Sequence, residues 1–155
     1  MIEVEIDADD WTAALPGAEQ LALAAAQAVL DAVAPTEGDE AQAIVMLLTD
    51  DDTVADLNQR FRGKAGPTNV LSFPAPANPQ GLLGDIALAY GVCAREAAEQ
   101  GKPLKDHLQH LSAHGVLHLL GYDHQTDGEA EAMEALERSI LESLGVPDPY
   151  ATERP

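Results

Sequence analysis

Apolar and polar side chains alternate along Ile2, Glu3, Val4, Glu5, Ile6 and Asp7, the period-two pattern of a strand with one buried face. The period changes after Pro16 and Gly17, where an Ala- and Leu-rich run over 18–33 predicts a helix closed before Pro35. AIVMLLT (43–49) is a short continuous apolar run, as expected of a central strand. Asp50 or Asp51 then supplies a helix N-cap. Val54, Leu57 and Phe61, three and four apart, put one apolar face on a helix ending near Arg62 and Gly63. Gly and Pro make GKAGPT (63–68) a loop and end the strand NVLSFP (69–74). Two further prolines make APANPQG (75–81) a flexible connection. DIALAY (85–90) is another strand, and helices are predicted over 92–100 and 104–120, the second opened by Pro103 in its first turn. Thr126 and Glu129 form a capping box for a last helix whose Met133, Leu136, Ile140 and Leu144 share one stripe. The order β-α-β-α-β-β-α-α-α predicts an α+β fold, with one mixed sheet of about four strands and about five helices. It forms a single domain over 1–150 with a C-terminal tail at 151–155, the chain being loosely held after Pro147.

Composition narrows this picture. No apolar run approaches the roughly 20 residues that span a bilayer. The acidic, alternating start is unlike a signal peptide. A cytoplasmic protein with no membrane partner is expected. Cys93 is alone, so there is neither a disulfide framework nor a cysteine cage, and any metal must be held by nitrogen or oxygen.

The formal net charge is −19, unevenly spread. Residues 1–50 carry 11 acidic and no basic side chains, and residues 125–155 carry 8 acidic and 2 basic. The middle, 51–124, is nearly balanced at 8 and 6. Charge alone argues against nucleic acid, whose binders carry a basic footprint. Arg60, Arg62 and Lys64 nevertheless cluster within five positions, and such a group can meet a phosphate if it is focused in a cleft.

The chemistry concentrates in HGVLHLLGYDH (114–124). His114 and His118 are four apart, so on a helix both imidazoles lie on one face and reach one metal at about 2.0–2.1 Å. Gly121 can take the left-handed conformation that ends a helix, which lets His124 return as a third ligand. Three histidines leave the fourth zinc position open, as in a catalytic site, here at the end of a central helix. His110 and His114 are also four apart, but only the 114/118 pair stands at the right distance before Gly121. His107 and His110 read as a helix face near the cleft mouth.

The spacing matches the H-E-x-x-H-x-x-G-x-x-H motif of metzincin proteases, with Gly115 in place of the glutamate. Peptide hydrolysis uses that carboxylate to take the water's proton and return it to the leaving amine, which Gly115 cannot do.

HGVLHLLGYDH closely resembles the H-G-x-L-H-L-x-G-Y-D-H signature of the YbeY family of bacterial endoribonucleases and rRNA maturation factors. FRGKAGPTNVLSFP (61–74) resembles that family's R-G-K-x-x-x-T-x-V-L-S-F-P block, LLGDIAL (82–88) its L-G-D-I strand, and EAMEALERSILESLG (131–145) its last helix. The resemblance covers roughly residues 41–150. It implies a Zn2+-dependent, single-strand-specific endoribonuclease with one zinc per chain, held by His114, His118 and His124. Arg62 is implied as the arginine linked to activity. Small-subunit rRNA 3′-end maturation and ribosome quality control are the implied roles. Single-stranded rRNA, the small ribosomal subunit and its proteins are the implied partners.

The residues suit that chemistry. Charge gathering on a phosphodiester's equatorial oxygens calls for the metal and a guanidinium that binds two oxygens at once. Arg62 fits better than Lys64, whose ammonium is a point charge. Asp85, Asp123 and His110 are candidates for proton transfer or for orienting a ligand histidine through its second nitrogen. Ser72 lies on a strand that can border the cleft. Two other readings stay open: a non-catalytic, zinc-containing ribosome assembly factor, and a metzincin-like peptidase supported by spacing alone.

Overall fold

Ile2, Val4 and Ile6 do turn one face inward, while Glu3 and Glu5 between them stay exposed. A computed structural model describes residues 2–33, 43–76, 82–122 and 125–149. Four strands build one mixed sheet in the order β1 (Ile2–Ile6), β2 (Ala43–Thr49), β4 (Leu82–Ala89), β3 (Val70–Pro74). β1 and β4 run parallel to β2, and β3 pairs antiparallel with β4. The α+β expectation holds.

β2 is central, buried on one face at Ile44, Met46 and Leu48 and half-buried on the other at Val45 and Leu47, so both faces are apolar and its sequence is a continuous run rather than an alternation. One face of the sheet carries α2 (Ala18–Val33), α5 (Leu104–Leu119) and α6 (Asp127–Ser143), packed around Ile44, Met46, Leu48, Ile86 and Leu88. On the other, Val54 of α3 (Asp51–Arg62) packs on Leu71, Ala87 and Ala89. α4 (Tyr90–Gln100) follows β4 without a loop and buries Cys93. Burial pushes the Cys93 thiol far above its ordinary range, so it stays protonated and inert.

An extra helix and two element starts depart from the sequence expectation by more than one residue. Six helices form among the described residues rather than about five, because α1 (Asp9–Ala14) is only six residues long. That is too short to show a helical period; it is held by Trp11, fully buried, whose Nε1 donates to the Thr49 carbonyl at 3.0 Å. β4 starts at Leu82 instead of 85, since Leu82 and Gly84 continue the pairing with β2. α4 begins at Tyr90 instead of 92. Part of the 75–81 connection and all of the 151–155 tail lie outside the described residues.

Both aspartates at the start of α3 are used. Asp50 caps α3 by accepting from the Thr53 N–H at 2.8 Å, and Asp51 accepts from the Val92 N–H at 3.0 Å, covering the start of α4.

Candidate active site

α5 positions the site because it is nearly enclosed. From Asp106 to Leu119 every residue is buried except His110, His114 and His118. These three, four apart, form one half-open stripe. The stripe faces a cleft of about 890 Å³ whose walls include Arg62, Thr68, Asn69, Ser72, His114, His118 and Tyr122.

α5 ends as the glycine predicts. Gly121 sits at φ 100°, the Tyr122 N–H donates to the Leu117 carbonyl at 3.0 Å, and the Gly121 N–H donates to that of His118 at 3.0 Å. This is a Schellman motif, which reverses the chain beside the histidines. Tyr122 and Gln125 both line the cleft. His124 and Asp123, which stand between them, lie outside the described residues.

His114 Nε2 and His118 Nε2 face each other at 3.0 Å. Two nitrogens sharing one tetrahedral zinc at about 2.0–2.1 Å stand roughly 3.3 Å apart, so the pair fits a zinc with little movement. Among the described residues no third ligand-type side chain joins them. The alternative pair is not arranged this way. His110 and His114 each turn a nitrogen onto Glu137: His110 Nε2 to Oε2 at 2.8 Å and His114 Nδ1 to Oε1 at 2.9 Å.

Glu137, from α6, is fully buried and was not singled out from the sequence. Burial alone would raise its carboxyl, but the hydrogen bonds from His110 and His114 outweigh burial and bring it down to about 2. An ionised carboxylate only accepts, so both histidine nitrogens facing it carry hydrogen. A neutral imidazole that donates there through Nδ1 keeps its lone pair on Nε2, the nitrogen that His114 turns toward His118. The signal for Glu137 in the sequence is a charge four residues after Met133 and three before Ile140, inside the arc that α6 buries.

Of the three clustered cations only Arg62 lines the cleft. Arg60 pairs with Asp56 on its own helix at 3.3 Å. Gly63, at φ 67°, ends α3 directly after Arg62, and Lys64 lies beyond that turn, outside the cleft walls. Ser72 lines the cleft and also donates to the Gly115 carbonyl at 3.0 Å, tying β3 to α5. Asp85 is not at the site. It pairs in register with Phe73, one residue out of phase with Ser72, so it faces the opposite side of the sheet and lines a separate groove with Phe61 and Phe73.

Two further residues on the cleft wall, Thr68 and Asn69, escaped the sequence reading. They sit at the mouth of β3, Thr68 at the end of the predicted loop and Asn69 at the first position of the predicted strand. Asn69 is fixed there: its Nδ2 donates to Glu96 Oε1 at 3.0 Å, and the same oxygen meets His107 Nε2 at 2.8 Å. His107, 3% exposed, therefore has a structural partner.

Gly115 answers to packing. A Cβ there would stand 3.1 Å from Ile86 Cγ2 and 3.2 Å from Ser72 Oγ, so the position faces the sheet.

Two convergent imidazoles from the buried helix α5 and a guanidinium from the end of α3, around one open cleft, are built as an enzyme site. The chain belongs to the YbeY family: the family model described as Endoribonuclease YbeY matches residues 5–145. Among similar proteins named Endoribonuclease YbeY, one from Rhodopseudomonas palustris (strain ATCC BAA-98 / CGA009) is 53% identical over 96% of this chain and 80% of its own length. Another, from Parvibaculum lavamentivorans, is 47% identical over 99% of this chain and 86% of its own. A solution structure from Thermotoga maritima shares the fold, with a TM-score of 0.58 at 24% identity over 100% of this chain and 97% of that one.

Proposed function

We propose that this chain is a zinc-dependent endoribonuclease that cuts single-stranded RNA in the cytoplasm. Its roles are small-subunit rRNA 3′-end maturation and ribosome quality control, in contact with the small ribosomal subunit and its proteins. The observation that carries the reading is the pair of facing His114 and His118 nitrogens, 3.0 Å apart, sharing one cleft with Arg62. The relatives' name, endoribonuclease, supports RNA as the substrate.

His114 and His118 would hold the zinc, with His124 as third ligand. When bound, zinc supplies Lewis acidity and lowers the pKa of water at its open position to about 7. The chain's own residues bind and orient. Arg62 takes two non-bridging oxygens of the scissile phosphodiester in its fork and neutralises the charge that grows there. Thr68 and Asn69 offer neutral donors and acceptors to sugar and phosphate along the same wall. Asp123 remains a candidate for proton transfer.

The acidic surface favours a second reading, a zinc-containing assembly factor that docks on basic ribosomal proteins without cutting. The peptidase reading loses support at Gly115, whose surroundings leave a glutamate little room and point it at the sheet.

One assay separates the three. Zinc-loaded protein is incubated with single-stranded RNA, duplex RNA and a denatured protein, beside His114→Ala and Arg62→Ala. The expected outcome is cleavage of the single strand only, reduced about 10²–10³-fold in each variant. Cleavage that survives unchanged in both variants overturns the proposal. Binding of RNA without cleavage establishes the assembly factor, and cleavage of protein alone the peptidase.

A further inference from the structure

Glu137 is an odd residue to bury. Its neighbours on the inner face of α6 are Met133, Ile140 and Leu141, all in the core, and Glu137 itself is 0% exposed. An ionised carboxylate withdrawn from water is strongly disfavoured, and an apolar side chain of similar volume at such a position is often neutral or better for stability. Folding alone gives no reason for it. Its two oxygens, however, are committed to two successive members of the α5 histidine stripe, at 2.8 Å and 2.9 Å.

That commitment resolves an ambiguity built into the stripe. His110, His114 and His118 form two overlapping four-residue pairs, and either pair has the spacing to hold a metal. Glu137 distinguishes them. It meets Nε2 of His110 but Nδ1 of His114, so the first histidine's outer nitrogen is engaged by the carboxylate while the second's faces His118.

We propose that Glu137 is a positioning residue that selects the metal pair. It fixes His114 as the Nδ1–H tautomer, aims the Nε2 lone pair at His118, and holds His110 away. The proposal rests on the zinc reading of the site for its consequence, but its tautomer claim stands on the metal-free protein. A carboxylate that receives the second ring N–H of a ligand histidine also raises that ligand's basicity, and its loss commonly weakens metal binding 10–100-fold.

The test uses the full chain labelled with ¹⁵N at histidine. In metal-free wild type, the imidazole nitrogen shifts should report His114 as the Nδ1–H tautomer. Glu137→Leu should give a mixture of tautomers. Zinc affinity, measured by competition with a chromophoric chelator, should fall about 10–100-fold. Glu137→Gln has one acceptor oxygen in place of two, so it can serve only one of the two histidines, and its affinity should lie between. Val29→Ala, a cavity in α2 away from the cleft, controls for general destabilisation and should move neither readout. An Nε2–H tautomer at His114 in wild type overturns the proposal without any variant, which keeps it decidable even if Glu137→Leu fails to fold. A folded Glu137→Leu with unchanged tautomer and zinc affinity within about twofold of wild type also overturns it. If wild type binds no zinc while the tautomer still depends on Glu137, the positioning role holds and the zinc reading fails.

Discussion

Arg62 and Lys64 stand two residues apart, yet only Arg62 reaches the cleft, because Gly63 ends the helix between them. The two cations are therefore not interchangeable by place, and they are not by chemistry either. Arg62→Ala should lower the single-turnover rate on a single-stranded RNA about 10²–10³-fold. Arg62→Lys restores charge but not the planar fork, so it should recover only a small part of that loss. A lysine variant as fast as wild type would show that Arg62 acts only through its charge. Gly84 is a second position where one residue type is required. Its φ is 150°, and a Cβ there would run into the Phe73 carbonyl and stand 2.7 Å from Leu119 Cδ2 at the end of α5. Gly84→Ala should cost on the order of 1–3 kcal/mol in urea unfolding. At this scale the sequence was legible where a residue's meaning is local. His114 and His118 are a helical pair by spacing alone, and Gly121 turns the chain as its type suggests. Glu137 and Asn69 were not legible, because their meaning comes from partners on α5 and α4, 23 and 27 residues away. Asp85 misled for the related reason that a one-residue phase decides which face of a sheet a side chain serves.

α3 shows what an element's ends contribute. Asp50 is exposed, and its carboxylate accepts the Thr53 N–H, which holds its pKa below the ordinary value. A depressed folded value means that the unfolded chain binds the proton more readily. The stabilisation is therefore present above the unfolded value of 3.8 and lost as pH falls through the lower folded one. Asp50→Ala should cost about 1 kcal/mol near neutral pH, measured by chemical denaturation. Asp50→Asn keeps a capping oxygen, so it should cost less and should lose the acid dependence. Parallel decline of both proteins in acid would show that the Asp50 charge does not contribute. Elements of ten or more residues were legible from periodicity, and so were the strands with clear alternation or apolar runs. α1 was not, since its six residues are fixed by one buried tryptophan rather than by a repeating face. The early start of β4 escaped the hydrophobic pattern, which began the strand at Asp85, whereas Gly84 continues the pairing with β2 and allows the close approach of β3 and α5.

For the whole molecule, a net charge of −19 sets a polyanion against the RNA it is proposed to cut. Proteins that bind through many phosphate contacts lose affinity steeply with salt, with a slope of about −0.7 per neutralised phosphate on single strands. Here Arg62 is the only lysine or arginine lining the cleft among the described residues. One contact sets a slope of about −0.7, and screening of the overall repulsion acts in the opposite direction, because added salt eases the approach of two like-charged molecules. The expected plot of log association constant against log salt concentration for a single-stranded RNA oligonucleotide is therefore shallow, between about 0 and −0.7. Fluorescence anisotropy with the slowed variant His114→Ala, over a range of potassium chloride, would measure it. Arg62→Ala in the same background should bring the slope to zero or above, since repulsion then acts alone. A slope steeper than about −3 would mean that several further cations engage the RNA. Lys64, two residues from Arg62 on the exposed loop, would be the first to replace.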